Sequence, residues 1–190
     1  DHRARFLAVR NQGRRPTCLA FAISDAHAAD RPPHRSLSVN YLYYYALQRM
    51  PLHHGDNGVG TAEALAALDQ DGQPLEATWP YSPVLPADRL TWRPPAGVAV
   101  HHGSGTARHA TFDAICRELE AGRCAVVVFQ PSESFHYIKA DGILPARSGR
   151  PLPQLHAVIA VGHGRQAARR LILVRNSWGL GWGERGHAWL

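Results

Sequence analysis

Three residues carry types and spacing suited to thiol chemistry: Cys18, His156 and Asn176. Cys18 opens an apolar stretch, Cys18-Leu19-Ala20-Phe21-Ala22-Ile23, that follows Arg14-Arg15-Pro16-Thr17. A helix starting at Thr17 places the sulfur where unpaired N–H groups and the macrodipole favour an anion. The thiolate is the reactive form of cysteine. The competing reading is a buried core thiol, since free cysteine is among the most buried residue types. Gln12 lies just upstream. Its amide can donate, together with the Cys18 backbone N–H, to a developing oxyanion; taken alone, a glutamine there is more often a solvated loop residue.

His156 and Asn176 sit on two apolar runs, His156-Ala157-Val158-Ile159-Ala160-Val161 and Leu171-Ile172-Leu173-Val174-Arg175-Asn176, separated by a polar stretch. Read as an antiparallel hairpin turning at Gln166, the runs place His156 opposite Asn176. An amide oxygen there accepts from one imidazole nitrogen and leaves the other for a cysteine, a base with its orienting group. The bland alternative is a satisfied core histidine beside a turn asparagine.

The elements that must position these residues change character along the chain. Thr17 to Ala29 reads as a helix whose first half is apolar on every side, hence central, with Pro16 in its first turn. A second helix through Tyr41–Leu47 is capped near Ser38, and a third, Thr61 to Leu68, stops before Gly72. Proline recurs from Pro74 to Pro95, which predicts irregular structure. Ala110 to Glu120 is amphipathic, and Val126–Phe129, His156–Val161 and Leu171–Arg175 read as strands. Helices first and strands later predict an α+β fold. The expected arrangement is one domain over residues 1–190. Its helical lobe covers residues 6 to 105, and its β-rich lobe covers residues 106 to 190 plus the N-terminal arm.

Composition narrows the function classes. The net charge of +6 comes from dispersed arginines. Without a basic stripe interleaved with aromatics, no nucleic-acid partner is expected. No apolar run approaches the ~18 residues of a membrane span, so no membrane role is expected. The three cysteines, Cys18, Cys116 and Cys124, are too few for a disulfide scaffold, although a Cys116–Cys124 bridge stays open. His53-His54, His101-His102 and His163 lack a zinc spacing with cysteine or acidic partners, so neither metal nor cofactor is expected.

Three ordered blocks resemble the papain-like cysteine peptidases: Val9-Arg10-Asn11-Gln12-Gly13 with Cys18-Leu19-Ala20-Phe21; His156-Ala157-Val158 through Gly162-His163-Gly164; and Asn176-Ser177-Trp178-Gly179-Leu180-Gly181-Trp182-Gly183. His156 follows Cys18 by about 140 residues, inside the family spacing of roughly 130–150, and Asn176 falls slightly beyond it. Weaker echoes are Leu37-Ser38, Trp79-Pro80-Tyr81 and Phe135-His136-Tyr137. The resemblance implies a two-lobed fold, one lobe helical and one barrel-like, with the active-site cleft between them. It implies Cys18 as nucleophile, His156 as base, Asn176 as its orienter, Gln12 as oxyanion donor and Trp178 as a cover over the His–Asn bond. It implies that Val128 and Ala157 wall an apolar substrate pocket, and that Asn57-Gly58 stands for the strand that pairs with substrate backbone.

The chain departs from the family where Arg15-Pro16-Thr17-Cys18-Leu19 replaces Cys-Gly-Ser-Cys-Trp. Arg15 removes a structural disulfide, which points to a cytoplasmic setting. The expected function is peptide-bond hydrolysis through a Cys18 thioester. The alternatives are an acyl-transfer or deamidating enzyme with the same triad, and a non-catalytic papain-fold binding module. Expected partners are a protein or peptide substrate and further domains of a longer parent chain.

Overall fold

The computed structural model describes residues 1–51, 56–145 and 149–190. It divides into two compact units, residues 12–108 and residues 1–11 with 109–190.

The first unit is helical. Helix α1 spans Cys18–Ala29, α2 Val39–Arg49 and α3 Thr61–Gln70. α1 packs on both others, and Leu19, Ala20, Phe21, Ala22 and Ile23 are all buried. This is the all-round burial expected of a helical stretch with no polar face. The N-cap of α1 is Thr17, so Pro16 stands ahead of the cap and not inside the first turn. Ser38 caps α2 by accepting from the Tyr41 N–H. Gln73, fully buried, joins the segments by donating to Ser24 Oγ at 2.7 Å and Ser38 O at 2.9 Å. Beyond α3 and its cap Asp71 the chain leaves through Gly72, where φ is +68 and a Cβ would lie 2.8 Å from the His101 carbonyl oxygen. Glycine is the residue that takes this left-handed exit without strain.

The second unit contains α4 (Phe112–Glu120), β1 (Ala125–Phe129), α5 (Glu133–His136), β2 (His156–Gln166), β3 (Arg169–Arg175) and β4 (His187–Trp189). The strands form one antiparallel sheet in the order β1-β2-β3-β4. The sheet is open rather than barrel-like. Cys116 and Leu119 of α4 pack with Phe135, Val158, Ile172 and Val174 in its core. The burial follows from the helical period of α4 and the strand period of the sheet.

The β2–β3 hairpin corrects the expected register. β2 runs on to Gln166, the turn is Ala167-Ala168, and β3 begins at Arg169. Ladder formation uses backbone groups that a polar side chain leaves intact, so Arg165, Gln166, Arg169 and Arg170 extend the hairpin instead of looping. A register shift between Ala160 and Gly162 adds a bulge, and the last β2–β3 pair is Ile159 with Arg175. His156 is therefore paired across β1 with Phe129, and Asn176 lies beyond the end of β3. All three cysteines are free thiols, so the Cys116–Cys124 bridge is not formed; Cys116 is buried in the core.

Candidate active site

Two sets of candidate residues lie in the two units. In the helical unit, Cys18 is the first residue of α1 and is partly exposed. The Thr17 hydroxyl does not cap the helix; it is 2.9 Å from the Tyr81 hydroxyl. The Cys18 sulfur thus heads a helix whose first N–H groups take no bond from the N-cap side chain, an environment that favours negative charge. Gln12 is buried at 6% exposure. Its Nε2 donates to the Arg15 carbonyl at 2.8 Å, which fixes the side-chain amide, and its backbone carbonyl accepts from the Tyr81 hydroxyl at 2.7 Å.

Asn57 is exposed and Gly58 partly so. Gly58 has φ +88, donates its N–H to the Tyr43 hydroxyl at 3.1 Å, and would bring a Cβ to 3.5 Å from the Pro16 carbonyl oxygen. The loop bearing Asn57-Gly58 thus lies against the segment that leads into Cys18.

Arg15 stands where the family resemblance places a structural cysteine, and it is buried at 4% exposure. Its Nε donates to Asp56 Oδ2 at 3.0 Å, and its Nη1 donates to Asn40 Oδ1 at 3.1 Å and to the Ser82 carbonyl at 2.8 Å. The guanidinium also lies over the rings of Tyr43, Tyr81 and Trp92, 5.2 to 5.4 Å from their centroids. The sequence reading missed this network. Its only local signal was an acidic residue directly before Asn57-Gly58.

In the sheet unit, His156 and Asn176 meet. His156 Nε2 is 2.8 Å from Asn176 Oδ1, and both residues are buried. The backbone N–H of Ser177 donates to the same oxygen at 2.8 Å. Two donors on one atom identify that atom as the amide oxygen and place the imidazole proton on Nε2. In the neutral ring Nδ1 is then the base. The Asn176 backbone is held by its N–H to the Gly186 carbonyl at 3.0 Å. Gly186 has φ +87, and a Cβ there would collide with Val9 at 2.6 Å, so the N-terminal arm packs where only glycine leaves room.

Rings enclose the couple. The Trp178 ring is 4.6 Å from that of His156 and Phe135 is 5.6 Å away. His136 stacks on Trp178 at 4.8 Å and 16°. Burial pushes the His156 imidazole down to about 4; the bond to Asn176 opposes that shift and the nearby His136 adds to it. The resting imidazole is therefore neutral.

Val128 and Ala157 are cross-strand partners on β1 and β2, Val128 42% exposed and Ala157 2%. Among the metal candidates, His53 and His54 lie outside the described residues. His102 bonds the Asp69 carbonyl, and His163 sits 3.5 Å from Glu120. Among the described residues no group of three or more His, Cys, Asp or Glu is arranged to hold a metal ion, and no helix is long and apolar enough to cross a membrane.

Comparison with known proteins identifies the family and the fold. A family model described as papain family cysteine protease matches residues 1–190. A cathepsin L-like proteinase of Fasciola hepatica is 28% identical over 181 residues, which cover 94% of this chain and 55% of that protein. The chain thus spans about half the length of this curated relative. Among solved structures, xylellain, a cysteine protease from Xylella fastidiosa, superposes with a TM-score of 0.77 at 25% identity, covering 96% of this chain and 75% of that one. The Carica candamarcensis cysteine protease CMS1MS2, in complex with E-64, gives 0.72 at 25% identity, covering 98% and 84%. The fold is the papain fold. The chain belongs to the papain family of cysteine proteases.

Proposed function

We propose that this chain is a cysteine endopeptidase with Cys18 as nucleophile and His156 as its general base and acid. The observation that carries the reading is the Asn176 oxygen on His156 Nε2, which commits the proton to one nitrogen and leaves Nδ1 basic. In the acylation step the Cys18 thiol proton passes to His156 Nδ1 and the sulfur attacks the substrate carbonyl carbon. The oxyanion is met by the Cys18 backbone N–H and the Gln12 amide. The C–N bond then breaks, and the leaving amine takes the proton from His156. In the second step water gives a proton to His156 and attacks the thioester, the C–S bond breaks, and the acid product and the thiol are released. Asn176 orients the imidazole throughout. Trp178, packed against His156, keeps water from competing for the His–Asn bond.

The substrate is proposed to be a protein or peptide that lays its backbone along Asn57-Gly58. The residue two positions before the broken bond would rest on Val128 and Ala157. Turnover of a fluorogenic peptide library by the wild type, lost in Cys18→Ala with the fold retained by circular dichroism, is the expected result. Equal turnover by Cys18→Ala would reject the reading.

A further inference from the structure

Arg15 touches three parts of the helical unit that the proposed chemistry uses. Its carbonyl oxygen accepts from Gln12 Nε2 at 2.8 Å, fixing the amide assigned to the oxyanion. The same carbonyl accepts the Thr17 backbone N–H at 2.8 Å, one residue before Cys18. Its guanidinium grips Asp56 with two nitrogens, Nε to Oδ2 at 3.0 Å and Nη2 to Oδ1 at 3.5 Å. Asp56 immediately precedes Asn57-Gly58. Tyr43 closes the circuit: its ring lies under the guanidinium at 5.3 Å and its hydroxyl accepts the Gly58 N–H at 3.1 Å.

The pair is sheltered, with side-chain exposures of 4% for Arg15 and 17% for Asp56. A fork of N–H donors facing a carboxylate fixes direction as well as distance. The Nη1 donors reach the Asn40 side-chain oxygen and the Ser82 carbonyl, so the buried guanidinium is hydrogen-bonded beyond the ion pair. Removing one partner of such a pair leaves an uncompensated buried charge, whereas removing both does not.

We infer that the Arg15–Asp56 ion pair positions the site, holding the Asn57-Gly58 backbone in register with the Gln12 amide and the start of α1. The inference rests on the peptidase reading. The tie is electrostatic and insensitive to reductant. Arg15 and Asp56 are positioning residues: they act through Gln12 and Gly58 and do not themselves touch the reacting atoms.

The test compares Asp56→Asn, Arg15→Gln and the double variant Arg15→Gln/Asp56→Asn, with two probes of Cys18. Iodoacetamide reports the thiol alone; a leucyl epoxysuccinate also needs the backbone edge. Each single variant should lower the epoxysuccinate rate by about 10- to 100-fold, the scale of an ångström-sized misplacement, with iodoacetamide little changed. The double variant should recover the melting temperature, because no lone charge is buried, but not the epoxysuccinate rate. Recovery of both together would make the pair merely structural and overturn the inference, as would an equal fall with both probes. Amide hydrogen exchange of residues 56–60 gives a reading independent of catalysis. Exchange there should rise in Asp56→Asn and stay raised in the double variant while α1 stays protected. Restored protection in the double variant would overturn the inference. If neither probe labels Cys18 in the wild type, the peptidase reading fails, and the exchange experiment still decides the positioning role.

Discussion

The side-chain oxygen of Asn176 accepts from both His156 Nε2 and the Ser177 backbone N–H, each at 2.8 Å. That arrangement makes Asn176 an acceptor that selects a tautomer, and it distinguishes orientation from proton transfer. His156→Ala should abolish turnover as completely as Cys18→Ala, because groups that act as a unit do not lose rate additively. Asn176→Ala should lose far less, roughly 10- to 100-fold in kcat. Asn176→Asp keeps the acceptor and adds a negative charge, so it should retain more activity than Asn176→Ala and raise the His156 titration seen by NMR. An unchanged His156 titration in Asn176→Asp would mean that the hydrogen bond does not govern the imidazole.

Gln12→Ala should act on kcat rather than KM. The oxyanion exists only near the transition state, and loss of one donor typically costs about 3 kcal/mol, or ~100-fold. Steady-state kinetics check this. A raised KM with unchanged kcat would make Gln12 a substrate contact.

Acid should destabilise the fold through histidines that are neutral in it. Burial lowers His156 to about 4, and burial aided by the positive charge of Arg175 lowers His187 to about 4, against 6.5 in the unfolded chain. Between these values the unfolded state binds more protons, so the contribution is fully present above about pH 6.5 and is lost as pH falls toward 4. A histidine wholly inside that window adds a slope of about 1.4 kcal/mol per pH unit. Urea denaturation at pH 4, 5, 6 and 7 should show the slope, and His187→Gln should reduce it. An identical pH dependence in His187→Gln would remove His187 from the account.

Substrate choice should follow the apolar pair Val128 and Ala157. Burying a Leu, Val or Phe side chain there is worth about 1.5–3 kcal/mol, and a charged one finds no partner on either residue. A peptide-library cleavage profile should favour apolar residues two positions before the broken bond. Val128→Asp, at a half-exposed position of β1, should shift the preference toward Arg and Lys. A wild-type preference for Arg or Lys would contradict the assignment of these walls.

The His156–Asn176 couple was legible because strand side chains alternate with period two. The hairpin turns beyond Gln166 and the ladder closes at Ile159–Arg175, so the expected pairing was displaced. Near the turn the pairing was displaced by an odd number of residues, and the bulge between Ala160 and Gly162 made the displacement even at Ile159–Arg175, which kept both side chains on one face. A one-residue slip would have separated them. The buried first half of α1, Leu19–Ile23, and the Ser38 cap were legible for similarly local reasons, the absence of polar side chains in that stretch and a hydroxyl at a helix start. The Arg15–Asp56 tie was not legible, because its partner lies on a distant loop and no period along the chain links them. The length of the hairpin was misjudged at Arg165–Arg170, since backbone pairing is indifferent to side-chain polarity that reads as a loop.

The central claim is that Cys18 alone among the three thiols is a nucleophile. Peptide mass mapping after brief exposure to a peptidyl epoxysuccinate at mildly acidic pH tests it directly. The account predicts one adduct per chain, on Cys18, with Cys116 and Cys124 unmodified and labelling strongly slowed in His156→Ala. Slow, equal labelling of all three cysteines, unchanged by His156→Ala, would contradict it.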